Sequence, residues 1–156
     1  LIFFAGACSN VDTISGWDIS DSSITMTQEA LSTFGFSHPY NLTKMDILKQ
    51  VQSKEIFDAV VISEVLEHLD QPEVAVQTIF KIIRSGGLVF INVPINSPAP
   101  DHVYNWHTIE RVEEFIENNG FKIVSSSAAP MTGYDLDRAL KRKVTVNVLI
   151  VAQKIH

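Results

Sequence analysis

The string Ser63-Glu64-Val65-Leu66-Glu67-His68 brings a hydroxyl, two carboxylates and an imidazole into one short stretch. An imidazole titrates near neutral pH, so beside carboxylates it can take up or release a proton under physiological conditions. Glu64, Glu67 and His68 stand at i, i+3 and i+4, so a helix over this segment would set all three on one face. A second group, His102, Tyr104, Trp106 and His107, follows in a stretch rich in proline and aromatic residues. Such side chains can wall a pocket, excluding water and stacking on a planar ligand. They can equally anchor a loop to the core, the commoner fate of large aromatics.

These groups need elements to carry them. Phe57 and Ala59 to Ile62 form a near-continuous apolar run, the mark of a strand covered on both faces, and Ser63 ends it. Ligands of open α/β sheets bind outside the carboxyl ends of the strands, so the residues from Ser63 onward fall where such a fold does its chemistry. Upstream, Val11 to Trp17 predicts a strand ending at Asp18. Ser20, Asp21 or Ser22 can then cap a helix reaching about Phe34, where Gly35 stops it. His38 to Leu42 predicts a short extended segment leading to Asp46, then a short polar helix or loop up to Glu55.

Downstream, Gln71-Pro72-Glu73 is a good helix start, with proline in the first turn and a carboxylate near the positive end of the helix dipole. That helix is expected to last to about Arg84 and to end at Ser85-Gly86-Gly87, before a strand over Leu88 to Val93 that Pro94 terminates. Ile95 to His107 reads as a long loop, a type often functional in compact domains. Thr108 caps a helix with Ile109, Val112, Phe115 and Ile116 as its apolar stripe, closed by Asn119-Gly120. Phe121 to Ser126 and Val144 to Lys154 predict the last two strands, joined by a polar segment holding Met131, Tyr134 and the basic run Arg138 to Lys143. Strand and helix alternation of this kind predicts an α/β fold, Rossmann-like, with a mostly parallel sheet and helices on both faces. The short link between the closing strands makes the last strand antiparallel, at or near an edge.

The 156 residues, 46% of them apolar and 19% charged, fit a single domain over residues 1–156 with a real core. A net charge of −6 argues against a surface built to hold a phosphate backbone, and therefore against nucleic acid as a partner. Cys8 is the lone cysteine, which suits a reducing compartment, with the cytoplasm as default. The apolar opening Leu1 to Ala7 lacks a basic flank and is too short to span a bilayer, so no membrane association is expected. A homo-oligomer stays open.

Taken in order, G-W-D-I-S at Gly16 to Ser20, N-L-T-K-M-D-I-L ending near Asp46, F-D-A-V-V-I-S-E-V-L-E-H, R-S-G-G-L-V-F-I-N-V-P at Arg84 to Pro94, and H-V-Y-N-W followed by E-E-F-I-E-N-N-G-F resemble the successive motifs of class I S-adenosylmethionine-dependent methyltransferases. The resemblance runs from about Val11 to the end. It is strongest to the small-molecule branch that includes ubiquinone-type O-methyltransferases, whose sheet has an antiparallel last strand. It implies S-adenosylmethionine as cofactor and methyl transfer to an oxygen or nitrogen of a small-molecule substrate. Asp18 would accept the ribose hydroxyls, with Ile19 on the adenine. Asp46 would meet the adenine amino group, with Ile47 beside it, while Ser63 and Glu64 would lie under the methionine part. Asp18 and Asp46 can also be simple helix caps.

The same resemblance gives the histidines two readings. In the first, His68 or His102 takes a proton from the substrate as the sulfonium methyl is transferred. In the second, Glu64, Glu67, His68 and His102 match a pattern that holds a divalent ion in ubiquinone-type O-methyltransferases and in small-RNA 2′-O-methyltransferases. That ion would lower the pKa of a bound hydroxyl, and RNA would then be an alternative substrate. Its identity stays unknown, since two carboxylates and two imidazoles suit several metals. Glu67 and His68 can also be idle residues on a helix surface, and Glu67 and Asp58 are less expected to act than His68.

One departure from the family pattern stands out. These enzymes carry an earlier strand ending in an acidic residue and a glycine-rich loop whose backbone approaches the cofactor closely. Gly6 lies too near Asp18 for a helix and a strand to fit between them. Leu1 to Ala7 is therefore expected to be the end of the helix that follows that loop, with the true beginning of the chain upstream. The alternative is a non-catalytic, methyltransferase-like subunit or binding module that another chain completes.

Overall fold

A computed structural model describes residues 11–49 and 56–155. The expected helix end at Leu1 to Ala7 and the stretch 50–55 lie outside the described residues. The chain divides into two compact units, one reaching to Lys49 and one starting at Gln50.

In the first unit, β1 (Ile14–Asp18) and β2 (Tyr40–Lys44) pair in parallel, from Ile14 opposite Tyr40 to Asp18 opposite Lys44. Helix α1 (Asp21–Thr33) connects them. The Ser20 hydroxyl accepts from the Ser23 N–H, satisfying one of the free donors at the start of a helix. Leu31 is the fully buried residue of α1. Gly35 follows the helix end at φ +63°, a left-handed conformation that costs glycine little.

The second unit holds a four-stranded sheet in the order β3 (Phe57–Ser63), β4 (Ile83–Ile95), β6 (Val146–Lys154), β5 (Phe121–Pro130). β3 and β4 pair in parallel, and β6 runs antiparallel to both β4 and β5. The α/β, Rossmann-like expectation with its antiparallel last strand is met. β6 lies one strand in from the edge, because β5 takes the outer place.

Alternation along the strands makes one face of this sheet fully apolar. Val89, Ile91, Val93 and Ile95 of β4 and Val146, Val148, Ile150 and Ala152 of β6 are all buried. Helices α2 (Pro72–Ile82) and α3 (Ile109–Asn118) each carry a buried stripe, Ala75, Val76, Ile79 and Ile82 in the first and Val112 and Ile116 in the second. The opposite face keeps Val61 half exposed, at 50%, and Leu88 at 41%.

Three local expectations need correction. Ser85-Gly86-Gly87 does not end α2: the helix stops at Ile82 and β4 begins at Ile83. Gly87 instead lets the strands come together, since a Cβ there would lie 2.9 Å from the Asp58 carbonyl. Lys154 takes over the work of closing α2, its Nζ donating to the Phe80 and Ile83 carbonyls at 2.7 and 3.0 Å.

Pro94 does not terminate β4, which runs on to Ile95 with Pro94 opposite Asn147. The Asn92 carbonyl faces β3, where it accepts from the Glu64 N–H, so by strand periodicity Pro94 also turns toward that side. There β3 has already ended, and the missing N–H of proline breaks no ladder. Further on, Asn96 donates to the Trp106 carbonyl on the same side.

Finally, the polar segment before β6 contains a helix, α4 (Leu136–Arg142), capped by the Asp135 carboxylate on the Arg138 N–H and closed by Lys143 in the left-handed region. Because the charges of the basic run are exposed and Ala139 alone is buried, α4 has no apolar stripe to announce it.

Candidate functional site

Within the first unit, Asp18 and Asp46 stand at the same end of the two parallel strands, the carboxyl end. Asp18 closes β1, and its carbonyl accepts from the Met45 N–H at 2.8 Å, just after β2 ends. Its Oδ1 accepts from the Ser20 N–H at 2.8 Å, so the side chain steers the turn into α1 while remaining exposed. Ile19 is 64% exposed. Asp46 turns the chain after β2: its Oδ1 accepts from the Leu48 N–H at 3.0 Å, and its Oδ2 lies 3.5 Å from Lys49. Ile47 is half buried beside it. The structure thus brings Asp18 and Asp46 to one rim, and both also serve as the local caps that an aspartate in a turn commonly provides.

In the second unit, the carboxyl ends of β3 and β4 meet where Ser63 pairs with Asn92. The Asn92 amide donates to Ser63 Oγ at 3.1 Å and to Glu64 Oε1 at 2.9 Å, and its backbone carbonyl accepts the Glu64 N–H at 3.0 Å. Glu64 adopts φ +54°, a left-handed conformation disfavoured for a residue with a Cβ. Asn92 was not among the expected site residues. Its signal is a polar side chain interrupting the apolar run Leu88 to Val93.

The left-handed turn at Glu64 also overturns the expectation of one helix face for Glu64, Glu67 and His68. The helical part is a single 3-10 turn, Leu66–His68, and Glu64 precedes it. Glu67 and His68 are brought together with His102 by a different device, the long loop. The Glu67 carbonyl accepts from the Val103 and Tyr104 N–H groups at 2.8 and 2.9 Å. His68 Nδ1 lies 3.0 Å from the Asp101 carbonyl and 3.5 Å from its carboxylate. The His68 and His102 rings meet edge to face with centroids 4.8 Å apart. One potential ligand atom from each of Glu67, His68 and His102 lies within 4.8 Å of the others.

Glu67 is not an idle surface residue: it is 0% exposed, and neither carboxylate oxygen has a hydrogen-bond partner among the described residues. Burial pushes its carboxyl up from 4.5 to about 7, and the neighbouring Glu64 adds to the rise. Its own backbone N–H and the His68 ring, 3.8 Å away, pull the other way without cancelling it. Asp58, by contrast, is exposed and paired with Arg84 at 2.6 Å.

Trp106 is buried and packs on Tyr104 and Phe115, with ring centroids at 4.6 and 5.6 Å, so it anchors the loop. Tyr104 remains partly open, and His107 is exposed. In the late segment, Tyr134 lies under the Arg138 guanidinium at 5.2 Å, and Met131 is exposed.

This is a strand-end site with a titratable cluster, on a fold shared with known enzymes. Residues 3–91 match the family model described as a methyltransferase domain, more than half of the chain. The chain belongs to that family. The resemblance to class I S-adenosylmethionine-dependent methyltransferases is thereby borne out. The mitochondrial ubiquinone biosynthesis O-methyltransferase of Mus musculus is 28% identical over 105 residues, covering 53% of this chain and 28% of that protein. The chain therefore spans under a third of that relative's length. Two solved structures share the fold over 99% of this chain. The N-methyltransferase NodS from Bradyrhizobium japonicum WM9, in complex with S-adenosyl-L-homocysteine, has a TM-score of 0.70 at 19% identity, with 72% of it covered. The [4+2]-cyclase SpnF has a TM-score of 0.77 at 15% identity, with 70% covered. Among the described residues, no helix is long and apolar enough to cross a membrane.

The cluster fits a divalent cation on its own chemistry. A fully buried carboxylate without a partner, next to two imidazoles, is the kind of group that a cation or a proton must neutralise. Glu64, the fourth residue of the expected set, lies outside these three, where Asn92 holds it and its carboxyl acts on that of Glu67.

Proposed function

We propose that this chain is the core of an S-adenosylmethionine-dependent enzyme that methylates an oxygen or nitrogen of a small molecule. The observation that carries the reading is the buried Glu67 carboxylate beside His68 and His102, at the carboxyl end of β3 in a chain of the methyltransferase family. The ubiquinone biosynthesis O-methyltransferase relatives support an oxygen acceptor, and the partly open Tyr104 supplies a ring on which a planar acceptor can lie.

In this reading Asp18 accepts the ribose hydroxyls of the cofactor and Ile19 packs on the adenine. Asp46 accepts from the adenine amino group beside Ile47. Ser63 and Glu64 hold the methionine part. His68 or His102 removes the proton of the acceptor as the methyl group leaves sulfur. The bond from sulfur to the methyl carbon breaks, the bond from acceptor to carbon forms, and S-adenosylhomocysteine is left.

A second reading follows from the partnerless Glu67 oxygens: Glu67, His68 and His102 hold a divalent cation. When bound, such an ion supplies Lewis acidity that lowers the pKa of an acceptor hydroxyl. The residues then orient the acceptor rather than carry its proton. The lone Cys8 suits a reducing compartment, and we place the protein in the cytoplasm on that ground.

Activity assays with labelled S-adenosylmethionine and catechol-like acceptors test the proposal, with His68→Ala and His102→Ala as controls. Transfer by the wild type that falls at least about 100-fold in one of the two variants is the expected result for a lost general base. Equal rates in all three proteins would exclude both histidines from the chemistry.

A further inference from the structure

Asn92 touches neither of the groups that carry the proposed chemistry, yet it makes three hydrogen bonds to two consecutive residues of the facing strand end. Its carboxamide nitrogen donates to Ser63 Oγ at 3.1 Å and to Glu64 Oε1 at 2.9 Å, and its carbonyl accepts the Glu64 N–H at 3.0 Å. Glu64 needs that restraint. At φ +54° it occupies a region that a residue with a side chain leaves unless its surroundings hold it there. The Glu64 side chain is exposed, so its carboxylate is fixed by Asn92 without being buried. Strain of this kind, over-determined by neighbours, is how proteins present a charged group in one orientation to a ligand.

The Asn92 carboxamide carries a second clue. Its Oδ1 is buried and has no hydrogen-bond partner among the described residues. A buried acceptor left open is rare, and it is satisfied when a donor arrives. The Glu64 carboxylate and the open Oδ1 therefore form a pair of acceptors beside one another, and both suit a cationic amine.

We infer that Asn92 is a positioning residue that clamps Ser63 and Glu64 at the end of β3, so that the Glu64 carboxylate and the Asn92 Oδ1 together receive the α-ammonium group of the cofactor's amino-acid end. This rests on the reading of Ser63 and Glu64 as the methionine end of the cofactor site. The Glu67 carboxyl of the following turn interacts with that of Glu64, and the Asn92 amide that orients Glu64 is neutral. The exposed Glu64 carboxylate, oriented by a neutral amide, suits a positive ligand.

The test uses S-adenosylhomocysteine as probe in titration calorimetry. Asn92→Asp replaces the donor with a second carboxylate facing Glu64, and the expected result is a Kd raised about 10- to 100-fold, the range for losing a hydrogen bond to a charged group. The decisive protein is Asn92→Asp combined with Glu64→Gln. There the donor and acceptor have exchanged places, the clamp is rebuilt, and the Kd is expected to recover to within about fivefold of Glu64→Gln alone, as partners in one hydrogen-bond pair do in a double-mutant cycle. Should Asn92→Asp fail to fold, Asn92→Ala removes the donor without adding charge and is expected to weaken binding about tenfold. Unchanged affinity in Asn92→Ala, or an additive loss in the double variant, overturns the role of Asn92. Absence of binding by the wild type overturns the cofactor reading itself, and so is distinguishable from failure of the clamp.

Discussion

The carboxylates of the two units solve the same problem in opposite ways. Asp18 and Asp46 in the first unit each find a backbone N–H two residues further along the chain and remain open to solvent or half open. Glu67 in the second unit is sealed from solvent with both oxygens unpartnered. A carboxylate that accepts one local backbone N–H keeps further lone pairs for the hydroxyl and amino groups of a sugar or base. One that is buried and unsatisfied must recruit a proton or a cation. In the proposed reading, recognition falls to the first unit and proton or cation chemistry to the second.

The largest effect is expected where the second cluster is held in place. Trp106→Ala removes the buried ring that packs on Tyr104 and Phe115, and should cost about 3–5 kcal/mol of stability, as large-to-small changes in cores do. Denaturant titration checks it. A loss below about 1 kcal/mol would mean that the loop does not depend on this anchor.

Next comes the titration of Glu67. Its carboxyl stands at about 7 in the fold against 4.5 as its ordinary value, so the folded state holds its proton more tightly than the unfolded chain. The stabilisation is fully present below pH 4.5 and is lost as pH rises through 7. With a chelator present, the wild type should therefore lose roughly 3 kcal/mol relative to Glu67→Gln between pH 5 and pH 8. Parallel stability curves for the two proteins would show that the carboxyl titrates normally.

Adding magnesium, manganese or zinc sharpens the contrast further. In the cation reading, an ion at about 100 times its Kd raises stability by about 2.7 kcal/mol in the wild type and not in Glu67→Gln. No shift in either protein, with activity unaltered by chelation, would leave proton transfer as the role of the cluster. For the first unit, Asp18→Ala is expected to weaken cofactor binding by about 1–3 kcal/mol. Its effect on stability should be smaller, because the residue is exposed and loses a single bond to the Ser20 N–H.

The first unit was legible in the chain because its interactions are local. Ser20 as the cap of α1, Gly35 beyond its end and Asp18 at the strand terminus are all set by neighbours within a few residues. The second unit was legible in its strands, where apolar runs are unmistakable, and less so at the site. No spacing rule foretells that Glu64 turns left-handed, because Asn92 holds it from a different strand. The i, i+3, i+4 pattern there mimics a helix face, but the contacts among Glu67, His68 and His102 come from a loop more than thirty residues away. Helix α4 leaves no periodic signal in the chain, because it buries a single alanine. The effect of Pro94 depends on which side of β4 has run out of partners, which the chain alone does not mark.

The most direct test of the account is calorimetric titration of S-adenosylhomocysteine into the wild-type protein, Asp18→Ala and Glu64→Gln. Saturable one-to-one binding by the wild type, weakened in both variants, is the predicted result. A wild type that binds with the same affinity as both variants, or that gives no heat at all, would contradict the cofactor-binding roles proposed for Asp18 and Glu64.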